Sequence, residues 1–267
     1  MQKFCIAGLG NMGGSLARFA LSAGYTVYGY DIKSSQTASL SSSALFHEKK
    51  SIEELLKEPY PLILAVKPGD VGTILSQIAD NRLVVSLAAG ISLAYLQENR
   101  QVKGPNIRAM PNLCLKVGEG ATVLCPDHLC RESDLGFART LFASAGLCEI
   151  ISNESLLDAV TALSGSGPAY VYLFLKTLED AAVREGLSRE LARKLSRQTL
   201  KGSLALLEKT GQTNHELIEA ISSPGGTTAE ALATLKIEGF EGSIYKALRK
   251  AKERSREISR LFQENAQ

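Results

Sequence analysis

The first half of the chain alternates short apolar runs with segments whose apolar residues recur every three or four positions. The short runs predict buried strands, and the longer period predicts helices that cover them. This alternation is typical of βαβ units and a mainly parallel sheet. The predicted strands are Lys3–Leu9, Thr26–Asp31, Pro61–Val66, Leu83–Ala88, Ile107–Met110, Thr122–Cys125 and Leu147–Ser152. The predicted helices among them are Met12–Ala23, a short helix opened by a capping box at Ser51, Asp70–Ile78 and Ser133–Ala143.

The strand pattern stops after Asn153, and every later segment has helical period or a residue typical of a helix boundary. Gly186 ends one helix, Ser188 begins the next, and Thr213 opens a second capping box. The final amphipathic helix is predicted over Glu241–Phe262. We therefore predict an α/β domain with a doubly wound sheet over residues 1–153 and an all-helical domain over 154–267.

Composition excludes several classes of protein. With 267 residues, 45% of them hydrophobic and 22% charged, the chain is in the globular range, not the disordered or collagen-like one. A net charge of +2 does not favour nucleic acid as a partner. Glycine and proline interrupt the uncharged run Ala159–Leu175, so we expect a buried helix there and no membrane span. The five cysteines and the absence of a signal-peptide pattern predict free thiols and a cytoplasmic protein.

A glycine-rich motif follows the first predicted strand and opens the first predicted helix. It reads Gly8-Leu9-Gly10-Asn11-Met12-Gly13. The first glycine permits a tight turn, the second lets backbone approach a pyrophosphate, and the third lets the helix lie against the strand. The helix N-terminus adds N–H donors and the positive end of the helix dipole. This pattern predicts a Rossmann-type site for a dinucleotide.

Asp31 ends the second predicted strand, 23 residues after Gly8. An acid at this place can accept hydrogen bonds from both ribose hydroxyls and repels a 2′-phosphate, which favours NADH over NADPH. Lys33, Ser34 and Ser35 leave NADPH open, because they could contact a 2′-phosphate if Asp31 turned away. Asp31 could also simply cap a turn.

Further candidate positions lie where other strands end. Ligands of open parallel sheets bind outside the carboxyl ends of the strands, so the loops after the third and fourth long strands should border the nicotinamide. Lys67 could equally be an exposed loop lysine, and the segment that contains Asn112 could be a plain turn. The cofactor candidates in these segments are Ala65, Val66, Lys67, Pro68, Ala88 and Asn112.

Two glycine-rich segments lie in the helical half. Ser222–Thr228 places a proline, paired glycines and threonines before a helix, which exposes backbone N–H groups suited to a carboxylate, although a structural N-cap is the competing interpretation. Ala162–Tyr170 places glycines within a helix, where each costs about 1 kcal/mol relative to alanine. Close approach of a cofactor or a partner helix would explain them.

Some chemistry lacks support in the sequence. The histidines His47, His128 and His215 lie outside every motif, so a histidine general acid is not indicated. Cys125, His128 and Cys130 lie close together, but three ligands without a fourth make a poor zinc site. We therefore expect no metal.

Six segments together resemble pyrroline-5-carboxylate reductase. They are GxGxMG at 8–13, AVKP at 65–68, MPN at 110–112, TALSGSGPAY at 161–170, QTLKGS at 198–203 and SPGGTT at 223–228. They span nearly the whole chain, and the last three are the most specific. The resemblance implies the last step of proline biosynthesis, in which NAD(P)H reduces the C=N bond of 1-pyrroline-5-carboxylate to L-proline.

The resemblance also implies roles for individual residues. Gly8, Gly10, Asn11, Met12 and Gly13 would hold the pyrophosphate, and Ala65 to Pro68 would line the nicotinamide. The substrate residues would be Ser223, Gly225, Gly226, Thr227 and Thr228: the N–H groups from Gly225 to Thr228 would hold the carboxylate, and the Thr228 hydroxyl would contact the ring nitrogen as the catalytic group. The helical domain would form a homodimer, often assembled into a decamer. Asp31 departs from the pattern of many NADPH-dependent members.

Two other functions compete with this interpretation. A 3-hydroxyacid dehydrogenase resembles the architecture but carries a lysine shortly after a glycine-rich segment, whereas here no lysine occurs before Lys176. A non-catalytic dinucleotide sensor would keep the fold and the cofactor site, but it has no use for a second anion site in the Ser223–Thr228 segment.

Overall fold

A computed structural model of the protein describes residues 2–264. Within these residues the chain forms two compact units. The first contains the chain up to Pro168 and again from Lys250 onward, and the second contains Ala169–Arg249. The sheet ends before residue 153, but the first unit continues beyond it, so the domain boundary drawn there from sequence stays a prediction.

The first unit contains an eight-stranded sheet in the part of the chain that the structure describes, with the order β3-β2-β1-β4-β5-β6-β7-β8. Neighbouring strands are parallel except for β6 and β7, so the prediction of a mainly parallel sheet is confirmed. The strands are β1 (Lys3–Ala7), β2 (Thr26–Tyr30), β3 (Phe46–Glu48), β4 (Leu62–Leu64), β5 (Val84–Ser86), β6 (Asn106–Met110), β7 (Gly120–Pro126) and β8 (Gly146–Ile150).

Helices cover both faces of this sheet. Alternate residues of β1 separate two apolar clusters: Phe4 and Ile6 belong to one, Cys5 and Ala7 to the other. The helices that precede the second unit are α1 (Asn11–Ser22), α2 (Ile52–Leu56), α3 (Pro68–Leu75), α4 (Leu93–Glu98), α5 (Glu132–Ala143) and α6 (Leu157–Val160). The remaining helices are α7 (Gly167–Arg184), α8 (Arg189–Thr210), α9 (Asn214–Ile221), α10 (Thr227–Ile237) and α11 (Phe240–Glu264). None of the helices among the described residues is long and apolar enough to cross a membrane.

Hydrogen bonds explain where several helices begin. The Thr213 side chain and the Glu216 carboxylate form the complete capping box predicted for α9. At α2 only half of the predicted box forms: Ser51 accepts from the Glu54 N–H, but Glu54 accepts from the N–H of Lys50. The N-caps of α2, α8 and α9 nevertheless lie at the predicted residues.

Two elements were not predicted, and one predicted helix is interrupted. β3 has three residues with only Phe46 buried, and α4 is a six-residue helix capped by Ser92, so both are too short for a clear periodic pattern. A π-helical turn at Thr161–Gly165 interrupts the helix predicted around residues 159–175. A Cβ on Gly165 would lie 2.6 Å from Cε of Met110, the end of a flexible side chain that can move aside, so this contact alone does not require glycine. The contact with a cofactor or a partner helix expected from sequence stays a prediction.

Candidate active site

The glycine motif forms a tight connection between β1 and α1. Gly8 has φ +91°, and a Cβ there would lie 2.5 Å from the carbonyl oxygen of Ala65. A Cβ on Gly13 would lie 2.0 Å from the Gly8 carbonyl oxygen and 2.8 Å from Cβ of Ala65. These two glycines therefore allow the loop and the first turn of α1 to lie directly against the end of β4.

Gly10 differs from its neighbours because it faces open space. It is the N-cap of α1, its backbone is extended, and no atom lies within 4 Å of the position that its Cβ would occupy. The first turn of α1, which begins at Asn11, contains no acid, and Gly10 provides no side-chain cap. The N-terminus of α1 thus has unpaired N–H groups and open space next to them. This arrangement fits a pyrophosphate.

Asp31 is fixed by two backbone groups. Its Oδ2 accepts from the N–H of Leu9 at 2.6 Å, and its Oδ1 accepts from the N–H of Lys33 at 2.8 Å. The residue therefore does cap a turn, but each carboxylate oxygen keeps a second acceptor position. Because both bonds hold the carboxylate at the end of β2, its negative charge cannot turn away without breaking them.

Ala65 to Pro68 follow β4, beside the glycine motif. The chain turns in opposite directions after β1 and β4, so this is the switch point where doubly wound sheets bind ligands. The Ala65 N–H donates to the Ala7 carbonyl at 2.8 Å, Val66 is half-buried, and Pro68 is the first residue of α3. Lys67, the N-cap of α3, is exposed. The residues from Ala65 to Pro68 therefore lie next to the Gly8–Gly13 motif.

Ala88 lies in the loop that follows β5. It is buried, and its N–H donates to Oγ of Ser86 at 3.3 Å. Farther along the loop, Gly90 has φ +82°, and a Cβ there would lie 3.0 Å from the Phe262 ring and 3.1 Å from Ile258. The last turns of α11 therefore support this loop, a contact that periodicity and motifs could not predict.

Asn112 connects two motifs that are distant in sequence. Its Oδ1 accepts from the Ala121 N–H at 3.1 Å, and its Nδ2 donates to the Ser164 carbonyl at 3.1 Å. The residue is buried, and Ser164 belongs to the π-helical turn. These bonds give Asn112 a positioning role, while the cofactor contact expected from sequence stays a prediction.

The Ser223–Thr228 segment, in the second unit, forms a turn followed by α10. The Gly226 N–H donates to the Ser223 carbonyl at 2.9 Å, and Gly225 has φ +69°, as a type II turn with Pro224 in second place requires. A Cβ on Gly226 would lie 2.7 Å from the Ser223 hydroxyl.

The first turn of α10 supplies donors for an anion. The helix has eleven residues, its N-cap Gly226 forms no side-chain cap, and the first N–H groups, including those of Thr227 and Thr228, have no carbonyl partner within the helix. The exposed Glu230 also lies in this first turn and partly offsets the helix dipole.

Cys5 and Cys130 suit packing better than chemistry. Burial raises the pKa of both Cys5 and Cys130 to about 12, so these thiols are protonated at neutral pH. Cys130 donates to the Asn106 carbonyl. No group of three metal-binding side chains occurs among the residues described.

A doubly wound sheet with a glycine-rich loop at its switch point, in a chain that continues into helices, defines a dinucleotide-binding protein of the Rossmann type. Two family models match the chain. Residues 3–90 match the family described as NADP oxidoreductase coenzyme F420-dependent, and residues 154–258 match pyrroline-5-carboxylate reductase dimerisation.

Individual relatives agree with these matches. Pyrroline-5-carboxylate reductase of Methanosarcina acetivorans is 32% identical over 97% of this chain and 98% of that protein. Among solved structures, the enzyme of Coxiella burnetii has a TM-score of 0.90 at 27% identity, covering 96% of this chain and 98% of that one. The Plasmodium falciparum enzyme with NADP bound has a TM-score of 0.84 at 32% identity, covering 97% and 98%. The chain belongs to the pyrroline-5-carboxylate reductase family and is an NAD(P)H-dependent oxidoreductase.

Alanine substitutions at Gly10 and Gly13 should separate folding from cofactor binding. Gly13→Ala places a Cβ on backbone atoms, so we expect the thermal midpoint to fall by roughly 5 °C or more. Gly10→Ala fills open space, so the midpoint should hold while the Kd for NADH rises about tenfold. Thermal unfolding and nicotinamide fluorescence measure the two effects. Unchanged NADH affinity in a folded Gly10→Ala protein would place the pyrophosphate elsewhere.

Proposed function

We propose that this protein reduces the C=N bond of 1-pyrroline-5-carboxylate to give L-proline, the last step of proline biosynthesis. The observation that carries the proposal is the match to pyrroline-5-carboxylate reductases over nearly the full length of both chains. The open N-terminus of α10 supports it independently, because a substrate with a carboxylate needs an anion site in addition to the dinucleotide site.

The proposal assigns each segment a task. Gly8, Gly10, Asn11, Met12 and Gly13 hold the pyrophosphate, and Ala65 to Pro68 line the nicotinamide. The N–H groups of Gly225, Thr227 and Thr228 hold the substrate carboxylate, with the Ser223 hydroxyl beside them. The Gly226 N–H, expected from sequence to join them, already donates to the Ser223 carbonyl and closes the turn. The Thr228 hydroxyl hydrogen-bonds the ring nitrogen.

The reaction requires orientation more than it requires a strong acid. The reduced nicotinamide supplies a hydride, which adds to the imine carbon while the C=N π electrons become the nitrogen lone pair. A protonated cyclic imine is already electrophilic, so this chain needs to hold the ring by its carboxylate and nitrogen. The positions of the histidines agree with this: His47 stacks on Tyr28, and the exposed His215 lies 3.5 Å from Glu219.

The alternative hydroxyacid chemistry has less support. That reaction needs a cation at the developing alkoxide. Lys176 is 74% exposed, and its ammonium pairs with Asp180 at 2.7 Å, where it balances a surface carboxylate. A non-catalytic sensor would leave the open N-terminus of α10 without a purpose.

The fixed carboxylate of Asp31 supports NADH as the preferred cofactor. Its second acceptor positions suit the ribose hydroxyls of NADH, and its charge opposes a 2′-phosphate. Lys33 N–H is used to hold Asp31, although the exposed Lys33 side chain keeps NADPH possible as a second cofactor.

Exposed apolar side chains of the second unit support a homodimer through its helices. α7 presents Val171 and Leu173, which are 44% and 64% exposed, and Ile221 and Ile237 are 66% and 83% exposed. Surfaces of this kind mark sites of association. We propose a homodimer, with a decamer as its further assembly, acting in the cytoplasm.

The first experiment follows the oxidation of NADH and NADPH at 340 nm with 1-pyrroline-5-carboxylate, and with a keto acid in parallel. We expect turnover with the imine alone, because the anion site suits the carboxylate and a protonated imine needs orientation more than a strong acid. Binding of NADH without turnover of the imine would favour a sensor, and turnover of the keto acid would favour a hydroxyacid dehydrogenase.

Thr228→Ala should lower kcat by roughly 10²-fold and leave the Kd for NADH almost unchanged, because the hydroxyl contacts only the substrate. Steady-state kinetics and NADH fluorescence give the two values. Thr228→Ser should restore most of the activity. Thr234→Ala is the matched control, since that hydroxyl lies on the same helix and only donates to the Glu230 carbonyl. Equal losses of turnover and NADH binding would contradict the assigned role.

Asp31→Asn should raise the ratio of kcat/KM for NADPH to that for NADH about tenfold, because the repulsive charge is removed. The ratio is the correct readout, since the loss of a bond to Leu9 or Lys33 also lowers stability and overall activity. Glu132→Gln, which neutralises an exposed acid of α5, is the charge-matched control. An unchanged ratio would show that Asp31 acts only as a structural cap.

A further inference from the structure

A lysine from a distant segment lies beside the glycine motif Gly8–Gly13, which is called the phosphate loop below. Nζ of Lys116 donates to Oδ1 of Asn11 at 3.1 Å, across 105 positions of sequence. Asn11 is the first residue of α1, so this contact places the ammonium at the open N-terminus of that helix. Lys116 belongs to a 3-10 turn, Leu113–Val117, between β6 and β7.

Packing on both sides of Lys116 fixes this turn against α1. Leu115 is fully buried in the same apolar cluster as Leu16 of α1. Gly118 has φ +80°, and a Cβ there would lie 3.1 Å from two ring atoms of Phe19. The backbone of Lys116 is therefore held by its neighbours, and the side chain itself is free to extend along the surface.

The ammonium of Lys116 has capacity left for an anion. It has three donors, and one is used by Asn11. Within the described residues, no carboxylate forms an ion pair with it, although the chain contains many lysine–carboxylate pairs elsewhere. The first turn of α1 also contains no acid that would compete for it.

Negative charge at the phosphate loop favours a cation there. Asp31 accepts the Leu9 N–H, which removes one donor from the loop and places a negative charge beside it. A pyrophosphate brings further negative charge to the same place. An ammonium at Asn11 offsets both, and the N–H groups of α1 alone supply only partial charge.

We propose that Lys116 is a further cofactor-binding residue whose ammonium donates to the pyrophosphate of NAD(P)H at the N-terminus of α1. The proposal rests on the proposed use of a nicotinamide dinucleotide. It assigns Lys116 to the part of the cofactor that NADH and NADPH share, and it leaves the choice between them to Asp31.

The test is equilibrium binding, without substrate, to the intact protein. Lys116→Met should raise the Kd for NADH about fivefold at low ionic strength, measured by nicotinamide fluorescence. Lys116→Arg should restore most of the affinity, and the difference between Lys116→Met and the parent protein should shrink in 0.5 M salt, a concentration at which the Debye length is only about 4–5 Å. Lys103→Met is the matched control: that lysine is exposed before the N-terminal end of β6, whereas the glycine motif follows the C-terminal end of β1, to which β6 runs parallel.

Affinities for three ligands show which part of the cofactor Lys116 contacts. NADH, NADPH and ADP-ribose share the pyrophosphate, so the proposal requires the same loss of affinity for all three. A loss confined to NADPH would place Lys116 at the 2′-phosphate and overturn the proposal, as would unchanged affinity for all three together with a lower thermal midpoint. If the parent protein binds NADH but does not reduce the imine, the proposed function fails while this test remains decisive.

Discussion

The approach of Gly8 and Gly13 to Ala65 is the contact on which the rest of the first unit depends. Hydrogen bonds from Gly8 to Tyr30 and from Ala65 to Ala7 hold the ends of three adjacent strands together at this point. A side chain on either glycine would separate α1 from β4, and with it the glycine motif from the loop that follows β4. The constraint is one of volume, because there is no space for a side chain at either position. Any residue larger than glycine, polar or apolar, would break this contact.

In the proposed function, Asp31 links the same loop to the choice of cofactor. Its carboxylate is part of the structure, because it satisfies the N–H groups of Leu9 and Lys33, and it also places a fixed charge where the adenosine ribose is expected. A substitution at Asp31 therefore changes both the hydrogen bonds of the loop and the charge near the expected ribose. The carboxylate also takes one N–H donor, that of Leu9, from the loop, and the proposed role of Lys116 would supply a charged donor beside Asn11.

Local features of the sequence predicted much of this architecture, and contacts between distant segments escaped it. The glycine motif, the acid after β2 and the cap of α9 are each contained in a few consecutive residues, so spacing alone revealed them. The bond from Asn112 to Ser164 joins residues 52 positions apart, and that from Lys116 to Asn11 joins residues 105 apart. A periodic pattern has no information on such pairs, because the tertiary fold alone brings them together.

Association has a physical basis in the helices of the second unit. Every residue of α7, α9 and α10 lies within the described part of the chain, and none of them is buried. Burial of apolar surface contributes about 25 cal/mol of stabilising free energy per Å². Helices that bury so little surface within one chain therefore receive little stabilisation from it. The match of residues 154–258 to a dimerisation family accounts for this surface. In the proposed homodimer, burial of this surface would contribute to the stability of the helical unit, which would then depend on protein concentration.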